Sequence, residues 1–223
     1  MSDELRARLR GLRVFDDDLP AFDPGAAPGH PAELFLEWLS HAIDAGVRAP
    51  HAMTLSTLDP YGRPDSRVLI LKGVEDGRWA FATSRGSRKG QQLERTPWAA
   101  LNFHWPEVGR QVRLRGRVAD AGPEAAARDF LERPPASRVE SWPGRQSQPL
   151  GDPGELVAAA DQAEAHIAAN PEDVPDHWTL YHLIPDEAEF WQGSPDRRHV
   201  RLRYRLIGGA WSSGEWTTEL LWP

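Results

Sequence analysis

The stretch Gln111–Val118 alternates without a break: Gln111, Arg113, Arg115 and Arg117 fall on one side of an extended chain, and Val112, Leu114 and Val118 on the other. Strand side chains point alternately to opposite faces, so this segment has one buried face and one that is wet or lined by ligand. Further strand-like runs surround it. Ala52–Leu58 and Ser66–Lys72 flank the turn residues Asp59-Pro60-Tyr61-Gly62 and predict a hairpin. Trp79–Thr83, Ala99–Trp105, Trp178–Ile184, Glu189–Gln192, Arg201–Leu206 and a segment near the C-terminus complete the set. Helices are predicted from Pro31, where Leu34, Phe35, Trp38, Leu39, Ala42 and Ile43 recur at helical spacing before Gly46, at Pro123–Leu131, and at Pro153–Ala169 behind an Asp152 cap. Many short strands with a few helices predict a mainly β (α+β) fold, a small barrel rather than a doubly wound sheet.

With 223 residues the chain suffices for one domain, placed at residues 31–223, preceded by a Pro- and Gly-containing arm at residues 1–30. Hydrophobic residues make up 40% and charged residues 26%, the balance of a globular protein, and apolar runs such as Val68–Leu71 are far too short to span a bilayer. No apolar leader follows the N-terminus, so a cytoplasmic location is expected and no membrane partner. The absence of cysteine excludes disulfides, thiolate metal sites and a cysteine nucleophile. A formal net charge of −7 disfavours a nucleic-acid partner, so an anionic ligand has to be held by local clusters of cations. The histidines are scattered and form no metal-binding pair, and the sequence has no Gly-rich phosphate loop of the dinucleotide or P-loop kind and no nucleophile elbow. No metal is expected.

Three clusters carry candidate chemistry. Thr83–Gln91 runs from a strand into a helix, with Ser87 as N-cap and Arg88 and Lys89 in the first turn. Cations there oppose the helix dipole, which makes sense if a phosphate is bound between them; a solvated basic turn is the alternative. Arg67 and Lys72 bracket four aliphatic residues and lie on opposite faces of a strand, so they either serve different parts of a site or extend into solvent at the strand ends. Phe190-Trp191-Gln192-Gly193 is followed by Asp196-Arg197-Arg198-His199-Val200-Arg201, an aromatic plane beside a cationic run. A flat phosphorylated heterocycle suits that combination, and so does an exposed strand pairing with the acidic surplus.

In order along the chain, the segments RVLILK (67–72), GSRKG (86–90), GRQV (109–112), GRQSQPL (144–150), FWQG (190–193) and RRHVR (197–201) resemble the pyridoxamine 5'-phosphate oxidase family from about Pro31 to the C-terminus. The resemblance implies an FMN-binding split β-barrel with peripheral helices, a homodimer, and FMN in clefts at the subunit interface. It implies that Arg67, Val68, Leu69, Ile70, Leu71, Lys72, Ala82, Thr83, Arg88, Lys89, Gln111, Gln146, Ser147, Trp191 and Arg201 bind the cofactor, several of them from the partner subunit. Lys72, Arg133 and Ser137 match positions that hold a substrate phosphate. Arg197, Arg198 and His199 also fall at the substrate, and Arg197 and His199 are the candidate catalytic pair over its ring. The implied reaction oxidises pyridoxamine or pyridoxine 5'-phosphate to pyridoxal 5'-phosphate with oxygen as acceptor. A flavin-dependent oxidase of a secondary-metabolite, phenazine-like pathway and a non-catalytic flavin-binding protein are the alternatives. Two departures stand out: Asp129 occupies a place where the family usually has tyrosine, and the chain ends Leu220-Leu221-Trp222-Pro223 without the family's terminal arginine.

Overall fold

The computed structural model describes residues 2–15, 18–208 and 214–223. Its helices are α1 (Asp3–Arg10), α2 (Pro31–Asp44), α3 (Arg88–Arg95), α4 (Pro123–Leu131), α5 (Pro135–Ser141) and α6 (Pro153–Ala169). Its strands are β1 (Ala52–Leu58), β2 (Pro64–Ile70), β3 (Gly73–Glu75), β4 (Arg78–Ser84), β5 (Trp98–Trp105), β6 (Arg110–Asp120), β7 (Trp178–Gln192), β8 (Val200–Ile207) and β9 (Glu215–Leu220). Hydrogen bonding orders them β2-β1-β5-β6-β7-β4-β3, with β8 on β7 and β9 on β8. The chain divides into two compact units: Met1–Met53 with Asn102–Leu114 and Asp186–Pro223, and Thr54–Leu101 with Arg115–Pro185. Among the described residues no helix is long and apolar enough to cross a membrane.

In the first unit α2 buries the stripe Leu34, Phe35, Trp38 and Ala42. Phe35 meets Phe103 with ring centroids 4.8 Å apart, and Trp38 stands edge-on to Phe190 at 5.2 Å, which in turn meets Tyr204 at 5.6 Å. Each such side chain, fully buried, stabilises the unit by about 1.5–3 kcal/mol. Arg110 lies over the Trp38 ring at 4.3 Å and donates to Gln192 at 2.8 Å; burial pushes its guanidinium down to about 10.

In the second unit the expected β1–β2 hairpin is closed by Asp59, whose carboxylate accepts from the backbone N–H of Tyr61 and Arg63, each at 2.9 Å. Strands β4 and β7 pair antiparallel from Trp79 opposite Leu183 to Ser84 opposite Trp178. On α4, Phe130 is fully buried and meets the Trp178 ring at 5.7 Å. Helix α6 begins where Asp152 accepts from Gly154 N–H at 2.6 Å, as its sequence predicts.

The alternation read in Gln111–Val118 is realised on β6, which buries Val112, Leu114, Gly116 and Val118 and exposes Arg113, Arg115 and Arg117. One expectation is corrected. The runs Trp178–Ile184 and Glu189–Gln192 are one strand, β7, because Pro185 leaves the chain extended: proline removes a donor but does not by itself end a strand. The arm at residues 1–30, for which no element was predicted, contains α1, where Ser2 accepts from Leu5 N–H, Asp3 and Glu4 lie at the positive end of the dipole and Arg8 and Arg10 at the negative end. Helix α5 and the short β3 were not expected.

Gly116 fixes how closely β6 and β7 approach within the second unit. A Cβ there would lie 2.1 Å from the Ile184 carbonyl oxygen and 2.5 Å from Pro185 Cα, both backbone atoms that cannot turn aside. Gly116→Ala is expected to lower stability by about 1–3 kcal/mol, or several degrees in Tm by thermal denaturation. Gly73→Ala, where nothing lies within 4 Å of the new atom, is the control and is expected to change stability by less than about 0.5 kcal/mol.

Candidate functional site

The structure gathers the expected site residues in two groups, one in each compact unit. In the second unit, Asp65, Ser66, Arg67, Val68, Leu69, Arg88, Lys89, Gln146 and Ser147 line a cavity of about 370 Å³. Strand β2 brings Asp65 and Arg67 to the same face, two residues apart, and α3 supplies Arg88 and Lys89 from its first turn. Ser87 caps α3 by accepting from Gly90 N–H at 3.3 Å. Gly90 is required by packing, since a Cβ there would lie 2.3 Å from the Arg85 carbonyl oxygen.

Arg67 donates to Thr57 Oγ1 at 2.6 Å and to Gln92 Oε1 at 3.2 Å, and pairs with Asp65 at 2.9 Å. Arg88 reaches the same carboxylate at 3.3 Å. Lys89, 6% exposed, donates to Gln146 Oε1 at 2.9 Å and Ser87 Oγ at 3.3 Å, both uncharged acceptors. Burial first, and the Arg67 charge second, push its ammonium down to about 8. The hydrogen bond from Gln92 Nε2, with the two arginines, holds the Asp65 carboxyl below its usual range. Three cations thus face one carboxylate, leaving two positive charges, close to the charge of a phosphomonoester at neutral pH. The donor set fits such a group. Thr83 Oγ1 also contacts Gln146, at 3.0 Å, and Ser147 holds a left-handed φ of +74°. Ala82 and Leu69 are half-buried, Leu71 is buried, and Val68 and Ile70 are exposed on β2.

The residues expected to hold a substrate anion also meet in this unit. Lys72 Nζ pairs with Asp129 at 3.0 Å, and the other Asp129 oxygen accepts from Trp178 Nε1 at 2.9 Å. Arg133 lies over the Trp178 ring at 4.2 Å and donates to the Ser137 carbonyl at 2.7 Å and Ser141 Oγ at 2.9 Å, while its buried Nε has no hydrogen-bond partner among the described residues. Ser137 is therefore brought to Arg133 through its backbone. Lys72 and Lys89 are the two lysines of the sequence; its other 24 cationic side chains, out of 26, are arginines.

The second group lies in the first unit. Trp191 and Arg201 stand directly opposite across β7 and β8. The Trp191 ring meets His199 at 4.9 Å, and Phe15 meets Trp191 at 5.8 Å and His199 at 5.7 Å. His199 Nδ1 accepts from Ser194 N–H at 3.0 Å, which leaves the proton of the neutral ring on Nε2. Arg197 is exposed, with a left-handed φ of +65°, whereas Arg198 is paired with Asp196. Gln111 is half-buried on the β6 face that carries Arg113. Arg201 donates to Glu189 at 2.9 Å and to the Trp222 carbonyl at 2.8 Å, so the C-terminal segment meets this group without a terminal arginine.

Sequence reasoning missed Asp65, Gln92 and Glu189. Parity along β2 could have placed Asp65 beside Arg67, and the four-residue step from Arg88 could have placed Gln92. Nothing local marks Glu189, whose carboxylate is held by Arg201 and Arg113 from other strands.

Residues 39–167 match the family model described as Pyridoxamine 5'-phosphate oxidase, and residues 178–223 that of the Pyridoxine 5'-phosphate oxidase C-terminal dimerisation region. The chain belongs to the pyridoxamine 5'-phosphate oxidase family. Among its relatives, a pyridoxine/pyridoxamine 5'-phosphate oxidase of Pseudomonas fluorescens is 42% identical over 200 residues, covering 88% of this chain and 90% of that protein. One of Chromobacterium violaceum is 45% identical over 176 residues, covering 78% and 82%. The crystal structure of PhzG from Burkholderia lata, in complex with tetrahydrophenazine-1-carboxylic acid, matches with a TM-score of 0.85 at 32% identity, over 92% of this chain and 98% of that one. A pyridoxamine 5'-phosphate oxidase-related, FMN binding protein of Nostoc punctiforme shares the fold, with a TM-score of 0.69 at 21% identity over 88% and 100%. The split-barrel class expected from the sequence is the class of these structures, and the chain is an oxidoreductase of this family.

Glu189 is the buried anchor of the first-unit group. Burial pushes its carboxyl up, and the hydrogen bonds from Arg201 and Arg113 outweigh that and hold it below the ordinary range. Such a depressed carboxyl stabilises the fold above its unfolded pKa, and the contribution is lost as pH falls through the folded value. Glu189→Ala is expected to destabilise by about 2–4 kcal/mol in chemical denaturation at neutral pH, and the deficit relative to the parent protein is expected to shrink in acid.

Proposed function

We propose that this oxidoreductase is FMN-dependent and oxidises pyridoxamine or pyridoxine 5'-phosphate to pyridoxal 5'-phosphate with oxygen as acceptor. The observation that carries the cofactor reading is the convergence of Arg67, Arg88 and Lys89 on one cavity with a single carboxylate between them. In this reading Arg67, Arg88 and Lys89 hold the FMN phosphate, with Gln146, Ser147 and Thr83 beside it and Val68–Leu71 and Ala82 along the flavin. Gln111, Trp191 and Arg201 complete the pocket from the partner subunit of a homodimer, which the match to a dimerisation region supports. When bound, FMN supplies the acceptor for a hydride from the substrate's C4' carbon and passes the electrons to oxygen, giving hydrogen peroxide. The protein's share is placement. Arg197 orients the substrate ring over the flavin, His199 packs beside Trp191 and offers its Nε2 proton as a hydrogen-bond donor, and Lys72 and Arg133 meet the anionic arm.

Asp129 on Lys72 favours keeping a second reading, an oxidase of a flat substrate whose arm is not a phosphate; the Burkholderia lata relative is seen with a carboxylic acid. Purified FMN-loaded protein given pyridoxine 5'-phosphate decides between them: pyridoxal 5'-phosphate and peroxide appearing in equal amounts is the expected result, and no turnover with flavin bound removes the first reading.

Replacing both Arg88 and Lys89 by alanine is expected to weaken FMN about a hundredfold or more while riboflavin changes little, since charge-assisted hydrogen bonds contribute roughly 1.5–3 kcal/mol each. In the parent protein a bound phosphate favours the charged form of Lys89. Affinity for FMN is therefore full between about pH 6, above which its phosphate is a dianion, and about pH 8, and falls as pH rises past the latter, with riboflavin as the flat control. Arg197→Ala is expected to lower kcat/KM with FMN retained at full occupancy; loss of flavin on purification would place Arg197 at the cofactor instead.

A further inference from the structure

The two anion-facing clusters of the second unit differ in charge. At Arg67, Arg88 and Lys89 one carboxylate faces three cations; at Lys72 and Arg133 the carboxylate of Asp129 faces two. Resting on the reading of Lys72 and Arg133 as the residues that meet the substrate's arm, the geometry points to Asp129 as a charge selector. It admits a singly charged arm, a carboxylate or a monoprotonated phosphate ester, and discriminates against a phosphate dianion.

The selector is built in rather than incidental. Asp129 stands in the last turn of α4 with a side chain 11% exposed, and both of its oxygens are engaged, one by Lys72 Nζ at 3.0 Å and the other by Trp178 Nε1 at 2.9 Å. Trp178 also lies under the Arg133 guanidinium at 4.2 Å, so one buried indole holds the carboxylate and the cation in fixed relation. Arg133 is turned toward Ser137 and Ser141 and cannot follow a ligand without breaking those hydrogen bonds. The Lys72 side chain is 28% exposed, so it has one open side and one occupied by Asp129. The charged groups at this place are Lys72, Arg133, Asp129 and Glu140, the last acting on Arg133. With two cations against two carboxylates the place carries no surplus positive charge, so a single negative charge on the ligand meets only the open side of Lys72, and a second one faces the fixed carboxylate across one ammonium. At such a partly exposed site, repulsion between like charges a few ångströms apart amounts to roughly tenfold or more in affinity. A phosphate ester loses its second proton near pH 6. The arm is thus singly charged below that pH and increasingly disfavoured above it, whereas a carboxylate keeps one charge throughout.

The test uses FMN-loaded protein and two probes that lack the C4' hydroxyl and so cannot be turned over to an aldehyde, 4-deoxypyridoxine 5'-phosphate and 4-deoxypyridoxine, in equilibrium dialysis at about pH 5.5 and 7.5. In the parent protein the preference for the phosphorylated probe is expected to fall roughly tenfold between the two pH values. In Asp129→Asn, which keeps an acceptor for Trp178, the fall is expected to vanish, and at the higher pH the phosphorylated probe binds about tenfold tighter than in the parent. Asp129→Ser is the second variant should the first not fold. An unchanged ratio of the two probes across protein and pH overturns charge selection and leaves the substrate reading standing. If neither probe binds any of the proteins while FMN stays in place, the substrate reading falls and takes the selector with it.

Discussion

The cost of taking a cation out of water organises the chemistry of this chain. Lys89 is nearly inaccessible, yet among the described residues no carboxylate accepts its hydrogen bonds, and burial with the neighbouring Arg67 pushes its ammonium down to about 8. Such an arrangement is unfavourable by itself and holds only because the surrounding elements are over-determined. Ser87 caps the helix, Gly90 permits its close approach to the Arg85 carbonyl, and Gln146 arrives from a distant segment to supply an oxygen. In the proposed reading the two charges of a phosphate relieve that cost.

Carboxylates are placed with different purposes around the other cations. Glu189 is buried and satisfied by two guanidinium groups, so it fixes Arg201 and Arg113 and leaves little of its own charge unpaired. Asp65 is shared among Arg67, Arg88 and Gln92, which aligns them without neutralising them. Asp129 takes up one of two cations and lowers the charge its surroundings offer a ligand. A carboxylate therefore anchors, aligns or selects, according to how many cations it meets and how far water is excluded.

Much of the fold was legible in the sequence because local periodicity and capping decide it. Helices α4 and α6 begin and end where Pro123, Asp152 and the apolar spacing place them, and β1 occupies Ala52–Leu58 as read. The cationic cluster at Arg88 and Lys89 was legible for the same reason: a cap and two cations opposing a dipole lie within one turn. By contrast, β7 was read as two strands at Pro185, and α5 and β3 were not read at all, since short elements carry too few residues to show a period.

Tertiary structure alone decided which carboxylate meets which cation. Asp129 was visible as a departure from the resembling family, but nothing in sequence could assign it to Lys72, 57 positions away, rather than to Arg133 one helical turn ahead. Glu189 gave no local sign, because its partners come from β6 and β8. By itself the sequence determined the absence of thiol chemistry, which composition alone decides, and the periodic elements and cationic motifs, which depend on neighbours within a few residues. The charge each cationic cluster presents depends on pairs far apart in the chain and on how deeply each is buried, and only the folded chain sets those distances.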